Sequence, residues 1–251
     1  MKYTIEETIH EGGKRRIFGR SYIPPGIEET MPLVICGHRF GATADSWKPY
    51  AEQLVEQGYM VHAIDFGGAC KESRSEGETW EMSVSTEVED LHCVINSLMQ
   101  DSRVDQHRIS LMGASQGGVV AALTAAERPT DIHKLILLFP AFIIPYMAHS
   151  FFSQIEDIPE RYDLWGVTLG RKYFAEAYHA EYYKQIGKFA GPVLLLHGDK
   201  DQAVPFVFSK RALKHYTQAQ LEIIEDADHG FEGQHFSLVM NTIVKFLSNI
   251  C

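Results

Sequence analysis

Cysteine is scarce and scattered. The 251-residue chain holds Cys36, Cys70, Cys93 and Cys251, with no CxxC pair. Thiols placed this way point to free cysteines in a reducing compartment, not to a disulfide framework. No Cys/His pair has the spacing of metal ligands, so no metal and no other cofactor is expected. Runs of one charge are missing too. The largest basic cluster is GGKRR, residues 12–16, in a chain of net charge −10. Binding phosphate takes concentrated Lys and Arg, so neither nucleic acid nor an anionic membrane surface is an expected partner. No apolar run reaches the ~18 residues of a bilayer span. The opening MKYTIEETIH lacks the apolar heart of a secretory leader, and a cytoplasmic protein is expected. Internal repeats and low-complexity linkers are absent.

What remains is an ordinary globular composition, 45% apolar and 22% charged, with a strong rhythm. KYTIEETI and KRRIFGRSYI alternate in polarity around the turn signal HEGG and read as a hairpin. Short apolar runs then alternate with helical patterns: PLVIC, YMVHAID, HRISLMG, IHKLILLF, GPVLLLHG and AQLEIIED as strands, with helices between them. One helix runs through SWKPYAEQLVEQG, with Ser46 as its N-cap and Gly58 as its C-cap. The last covers about 233–248. This pattern predicts a single α/β domain over 1–251: an eight-stranded, mostly parallel sheet with helices on both faces. One crossover is too long. Residues 140–190 are crowded with Phe, Tyr and Trp, which argues against disorder, and they read as a small helical cap over one end of the sheet.

The chemistry sits at the ends of three strands. GASQG, residues 113–117, follows a strand and opens a helix, the context in which G-x-S-x-G raises a serine above a sheet edge. Ser115 then needs a base held by an acid. LLLHGDKDQAVP offers Asp199 and Asp201, and IIEDADHGF offers His229. Asp201 is the favoured acid, because the chain at AVP can bend back towards His229. Asp199 is then a turn residue, and Asp226 and Asp228 are solvated. The oxyanion donors are expected to be the N–H of Gln116 and an N–H of the loop GHRFGA, best supplied by Phe40. His38 is expected to bond its own loop.

These stretches resemble the α/β-hydrolases, and within them the small bacterial serine esterases of the cinnamoyl/feruloyl type. GHRFGA, GASQGG, LLFPAFIIP, HGDKDQAVP and ADHGF carry the resemblance. It implies Ser115, Asp201 and His229 as a triad, Phe40 and Gln116 as oxyanion donors, and a cap insertion lining an acyl pocket. Similar chains are also labelled acylaminoacyl or dipeptidyl peptidases. Arg39 stands where the family usually has glycine. It either sits in an ordinary conformation facing solvent, or favours an anionic or phenolic substrate at the pocket mouth, or distorts the loop. Phe142 and Trp165 are expected to line the pocket. The expected reaction is hydrolysis of a small-molecule ester. The rivals are a peptidase or amidase and a non-catalytic binding protein, and a homodimer is left open.

Overall fold

The structure, a computed structural model, describes residues 3–26 and 30–249. Cys251 and the first residue of the KYTIEETI run, Lys2, lie outside the described residues. The other three cysteines are free.

In chain order the strands and helices are β1 (Thr4–His10), β2 (Ile17–Ile23), β3 (Met31–Gly37), α1 (Lys48–Val55), β4 (Met60–Ile64), α2 (Val84–Leu98), β5 (Val104–Ala114), α3 (Gln116–Glu127), β6 (Lys134–Leu138), α4 (Ile144–Phe151), β7 (Arg161–Leu164), β8 (Val167–Gly170), α5 (Arg171–His179), α6 (Tyr182–Ile186), β9 (Val193–Gly198), α7 (Val207–Leu213), β10 (Ala219–Ile224) and α8 (Gly233–Ser248). Eight strands form one sheet in the order β1-β2-β4-β3-β5-β6-β9-β10. The β1–β2 and β2–β4 pairings are antiparallel and the rest are parallel.

The runs read as buried strands are buried on both sides, because helices cover both faces. One core lies under α1 and α8, around Leu54, Met240 and Phe246. The other lies under α2, α3 and the insertion. Helix α2 turns Val84, Val88, Leu91, Ile95 and Leu98 into that second core, at helical spacing. Its start is fixed by a reciprocal cap: the Ser83 hydroxyl accepts the Thr86 N–H, and the Thr86 hydroxyl accepts the Ser83 N–H.

One local expectation changes. Ser46 is not an N-cap. A 3₁₀ turn, Ala44–Trp47, precedes α1, and the Ser46 hydroxyl donates to the Thr43 carbonyl at 2.7 Å. Pro49 has no N–H and suits the first turn of a helix, so α1 proper begins beside it, at Lys48. Gly58 does close the helix, at φ +83°.

The insertion is helical, as expected, with α4, α5 and α6, and it also carries an antiparallel hairpin, β7–β8. Trp165 and Gly166 make its two-residue turn at φ +52° and +83°, the left-handed pair that suits a tight hairpin. The hairpin is seated on the body of the protein at Gly170, where a Cβ would come within 2.1 Å of the Trp80 carbonyl oxygen. The Thr79 hydroxyl donates to the Thr168 carbonyl alongside it. Among the described residues, no helix is long and apolar enough to cross a membrane.

Candidate active site

Strand β5 ends at Ala114 and α3 begins at Gln116, so Ser115 takes the whole turn. It does so at φ +52°, ψ −117°, a strained conformation for a residue with a side chain. The flanking glycines are forced by contact. A Cβ on Gly113 would lie 2.1 Å from the Gly117 carbonyl oxygen, and one on Gly117 would lie 2.3 Å from that of Gly37. The strain and these close approaches hold the hydroxyl at the head of α3, where the free N–H groups and the helix dipole favour negative charge.

The loop after β10 brings in His229, and the loop after β9 brings in Asp201. His229 Nε2 lies 3.0 Å from Ser115 Oγ, and His229 Nδ1 donates to Asp201 Oδ2 at 2.7 Å. The carboxylate is fully buried. Burial pushes its pKa up, but hydrogen bonds from His197, His229 and the Val204 N–H outweigh that and hold it well below the usual carboxylate range. Asp201 is therefore a fixed anion. Asp199 instead accepts the Asp226 N–H at 2.7 Å and closes its own loop. Asp228 accepts the His229 N–H. Phe139, at φ +37°, packs its ring edge-on to the His229 imidazole at 4.7 Å and to Phe231 at 5.2 Å.

The GHRFGA loop is pinned from within. His38 Nε2 accepts the Phe66 N–H at 3.0 Å, which leaves the proton on Nδ1, and Nδ1 donates to the Arg39 carbonyl at 2.8 Å. Burial pushes the His38 pKa down to about 4, so the ring stays neutral in this role. A trans peptide points its C=O and N–H in opposite directions. Anchoring the Arg39 carbonyl on His38 therefore aims the Phe40 N–H away from the core. Among the described residues, the N–H groups of Phe40 and Gln116 have no acceptor within a helix, strand or turn. Arg39 is not in a left-handed conformation, so it stores no such strain in place of a glycine.

A cavity of about 320 Å³ opens on Ser115 and His229, between the sheet end and the insertion. Phe40, Ile143, Ile144, Met147 and Trp165 make it mostly apolar, and Gln116 and Tyr173 also line it. Arg39 and Trp165 line it. Phe142 does not. It is 1% exposed and packs on Tyr183 at 5.3 Å, inside the core beneath the insertion. A second cavity, about 620 Å³, lies on the α1/α8 side and shares Arg39 with the first. Arg39 is thus the residue between the two hollows.

Three contributors were not singled out from the sequence. Gln116 Nε2 donates to Glu87 at 2.9 Å, and its Oε1 accepts the Tyr173 hydroxyl at 2.7 Å. This buried chain fixes the residue next to the nucleophile. Burial pushes the Glu87 pKa up to about 8. His197 touches the same Asp201 oxygen as His229, at 3.2 Å. A polar residue inside the apolar run LLLHG is the trace that His197 leaves in the sequence. Glu87 leaves none that distinguishes it from a surface residue of an amphipathic helix. Among the described residues, no three His, Cys, Asp or Glu side chains are grouped to hold a metal.

Known proteins share this fold. The structure of Est1E from Butyrivibrio proteoclasticus with ferulic acid bound is similar to this one, with a TM-score of 0.87 at 26% identity over 96% of this chain and 97% of that chain. A predicted CIB-like hydrolase from Thermoplasma acidophilum shares the fold at a TM-score of 0.68 and 20% identity, covering 99% of this chain and 100% of that chain. The α/β-hydrolase fold that the resemblance implied is therefore the fold observed. By sequence the chain is 26% identical over 184 residues to monoacylglycerol lipase abhd6-B of Xenopus laevis. It is 23% identical over 205 residues to the acylamino-acid-releasing enzyme of Rattus norvegicus. The matches cover 73% and 76% of this chain, but it spans only about half (52%) of the first relative and a quarter (26%) of the second. The family model that fits is that of the prolyl oligopeptidases, matched over residues 46–251, from the turn before α1 through the elbow and the acid and histidine loops. The chain belongs to the prolyl oligopeptidase family.

Proposed function

We propose that the protein is a serine ester hydrolase acting on small aromatic or short-chain acyl esters. One observation carries this reading: the unbroken series Asp201–His229–Ser115 opens on a mostly apolar cavity. His229 Nε2 takes the proton as Ser115 Oγ attacks the ester carbonyl, and Asp201 balances the imidazolium that forms. The oxyanion is held by the N–H groups of Phe40 and Gln116, each worth roughly 2.7–4 kcal/mol of transition-state stabilisation. His229 then protonates the leaving alcohol. Water repeats the sequence on the acyl-serine.

A cavity of about 320 Å³ is at the small end of ligand pockets, which suits a single ring or a short chain. The ferulic acid bound by the structural neighbour Est1E supports an aromatic acyl group. Arg39 at the mouth favours an anionic or phenolic substituent. No nucleic acid or membrane surface takes part, and the setting is cytoplasmic.

A second reading, cleavage of an amide, is favoured by the family match and by the acylamino-acid-releasing relatives. One panel separates the two: p-nitrophenyl acetate and butyrate, methyl ferulate, and an aminoacyl p-nitroanilide. The ester reading expects the highest kcat/KM on an ester. Faster turnover of the anilide overturns it in favour of the amide.

A further inference from the structure

The Asp201 carboxylate serves two imidazoles, and the triad uses one of them. His197 lies in β9, fully buried, four residues before Asp201. Its Nε2 is 2.7 Å from the Val204 carbonyl and 3.2 Å from Asp201 Oδ2. A carbonyl only accepts, so Nε2 carries the proton and shares it between these two oxygens. Nδ1 is then the bare nitrogen, and the Ser209 hydroxyl, 2.7 Å away and buried on α7, donates to it. The side chains form one series: Ser209, His197, Asp201, His229, Ser115. A hydroxyl–imidazole pair stands on each side of a single carboxylate. Both imidazoles meet Oδ2, while Oδ1 takes the Val204 N–H at 2.8 Å.

We propose that His197, oriented by Ser209, is a positioning residue: it holds Asp201 Oδ2 against the His229 ring and occupies part of that oxygen, which weakens the pull of the carboxylate on the His229 proton. The proposal rests on the triad reading above. A buried anion draws a proton onto a neighbouring imidazole. A general base works best when its proton affinity matches the working pH. A second N–H on the same oxygen spreads the charge and weakens that pull.

The charged groups nearby are engaged elsewhere. Lys200 faces Asp199 at 3.5 Å and Asp226 at 3.9 Å, and Asp228 accepts the His229 backbone N–H. On α7, Lys210 and Arg211 lie over the rings of Phe206 and Tyr183. Among the described residues, the imidazoles within reach of the carboxylate are those of His197 and His229.

The test compares His197→Phe, which keeps a ring and loses the donor, with Ser209→Ala, which leaves the imidazole without its orienting hydroxyl. The pH profile of kcat/KM on p-nitrophenyl butyrate is measured in each, and the His229 ring is titrated by NMR. In His197→Phe the acid limb and the His229 midpoint move up by about half a pH unit, with kcat reduced and KM little changed. Ser209→Ala moves both in the same direction by less. His197→Gln, whose amide offers an N–H near the place of Nε2, moves them back. A limb and midpoint that stay still or move down, in whichever of the first two variants is folded, overturn the proposal. A wild-type protein that is inactive and unlabelled at Ser115 by a fluorophosphonate defeats the triad reading and this proposal with it. That result is distinct from an active enzyme with an unmoved limb.

Discussion

Trp165 and Phe142 are both aromatic residues of the insertion, and their environments separate binding from stability. Trp165 is 73% exposed at the hairpin tip and lines the cavity. Trp165→Ala should change stability by no more than about 0.5 kcal/mol, as at other exposed sites. It should lower kcat/KM on methyl ferulate about tenfold, with less effect on p-nitrophenyl acetate. Phe142→Ala should cost about 3–5 kcal/mol in a urea melt, because the hole it leaves lies in a packed core. Equal stability losses in the two variants would contradict this division. Residue type alone tells neither from the other, since a Phe and a Trp in an aromatic-rich segment differ only in which way they face. Ser115, Asp201 and His229 were legible because each is tied to a strand end, and strand ends in a parallel sheet share one rim. His38 was legible as a loop anchor, but its effect on the Phe40 N–H depends on the peptide plane, which no motif records. Arg39→Gly tests the pocket-mouth reading. Turnover of anionic and phenolic esters should drop more than that of neutral ones, and an equal change in all would remove Arg39 from recognition.

Among the elements, β4, β6 and β9 were readable as continuous apolar runs because both faces of each are buried. The β7–β8 hairpin was not. Its strands are four residues each, and only one face of the pair is buried against the aromatic cluster of Phe152, Tyr162 and Phe174. Its clearest sequence signal, Trp165-Gly166, is an unusual turn pair. The hairpin and α5 together seat the cap through Gly170, Thr168 and the Ser85–Glu176 hydrogen bond. Gly170→Ala must push the hairpin off the Trp80 carbonyl, at a cost of about 1–3 kcal/mol. The expected outcome is early proteolytic cleavage within 140–190, with the KM for aromatic esters raised and the sheet core still folded. Cleavage at the wild-type rate would show that the contact does not hold the cap.

In the whole molecule, two sets of buried groups pull stability in opposite directions with pH. Burial lowers His10 and His38 to about 4 and holds His62 well below its ordinary value, and His10 and His62 face each other at 2.8 Å between β1 and β4. Each contributes stability that is present above the unfolded value of ~6.5 and lost as pH falls through the folded value. Glu87, raised to about 8, behaves oppositely: its contribution is complete below ~4.3 and is lost as pH rises through 8. Glu87→Gln keeps the shape and removes the titration. It should therefore be more stable than wild type at pH 8, and should lose stability more steeply between pH 6.5 and 4.5. Urea melts at pH 4.5, 6.5 and 8 read this, and parallel curves for the two proteins would rule it out.

All of the chemistry depends on Ser115 being a nucleophile activated by His229. Intact mass and peptide mapping after treatment with a fluorophosphonate probe read that property directly. The account predicts one adduct per chain, on Ser115, formed at neutral pH and lost in His229→Ala as well as in Ser115→Ala. A folded protein that takes no label, or takes it at another residue, would contradict it.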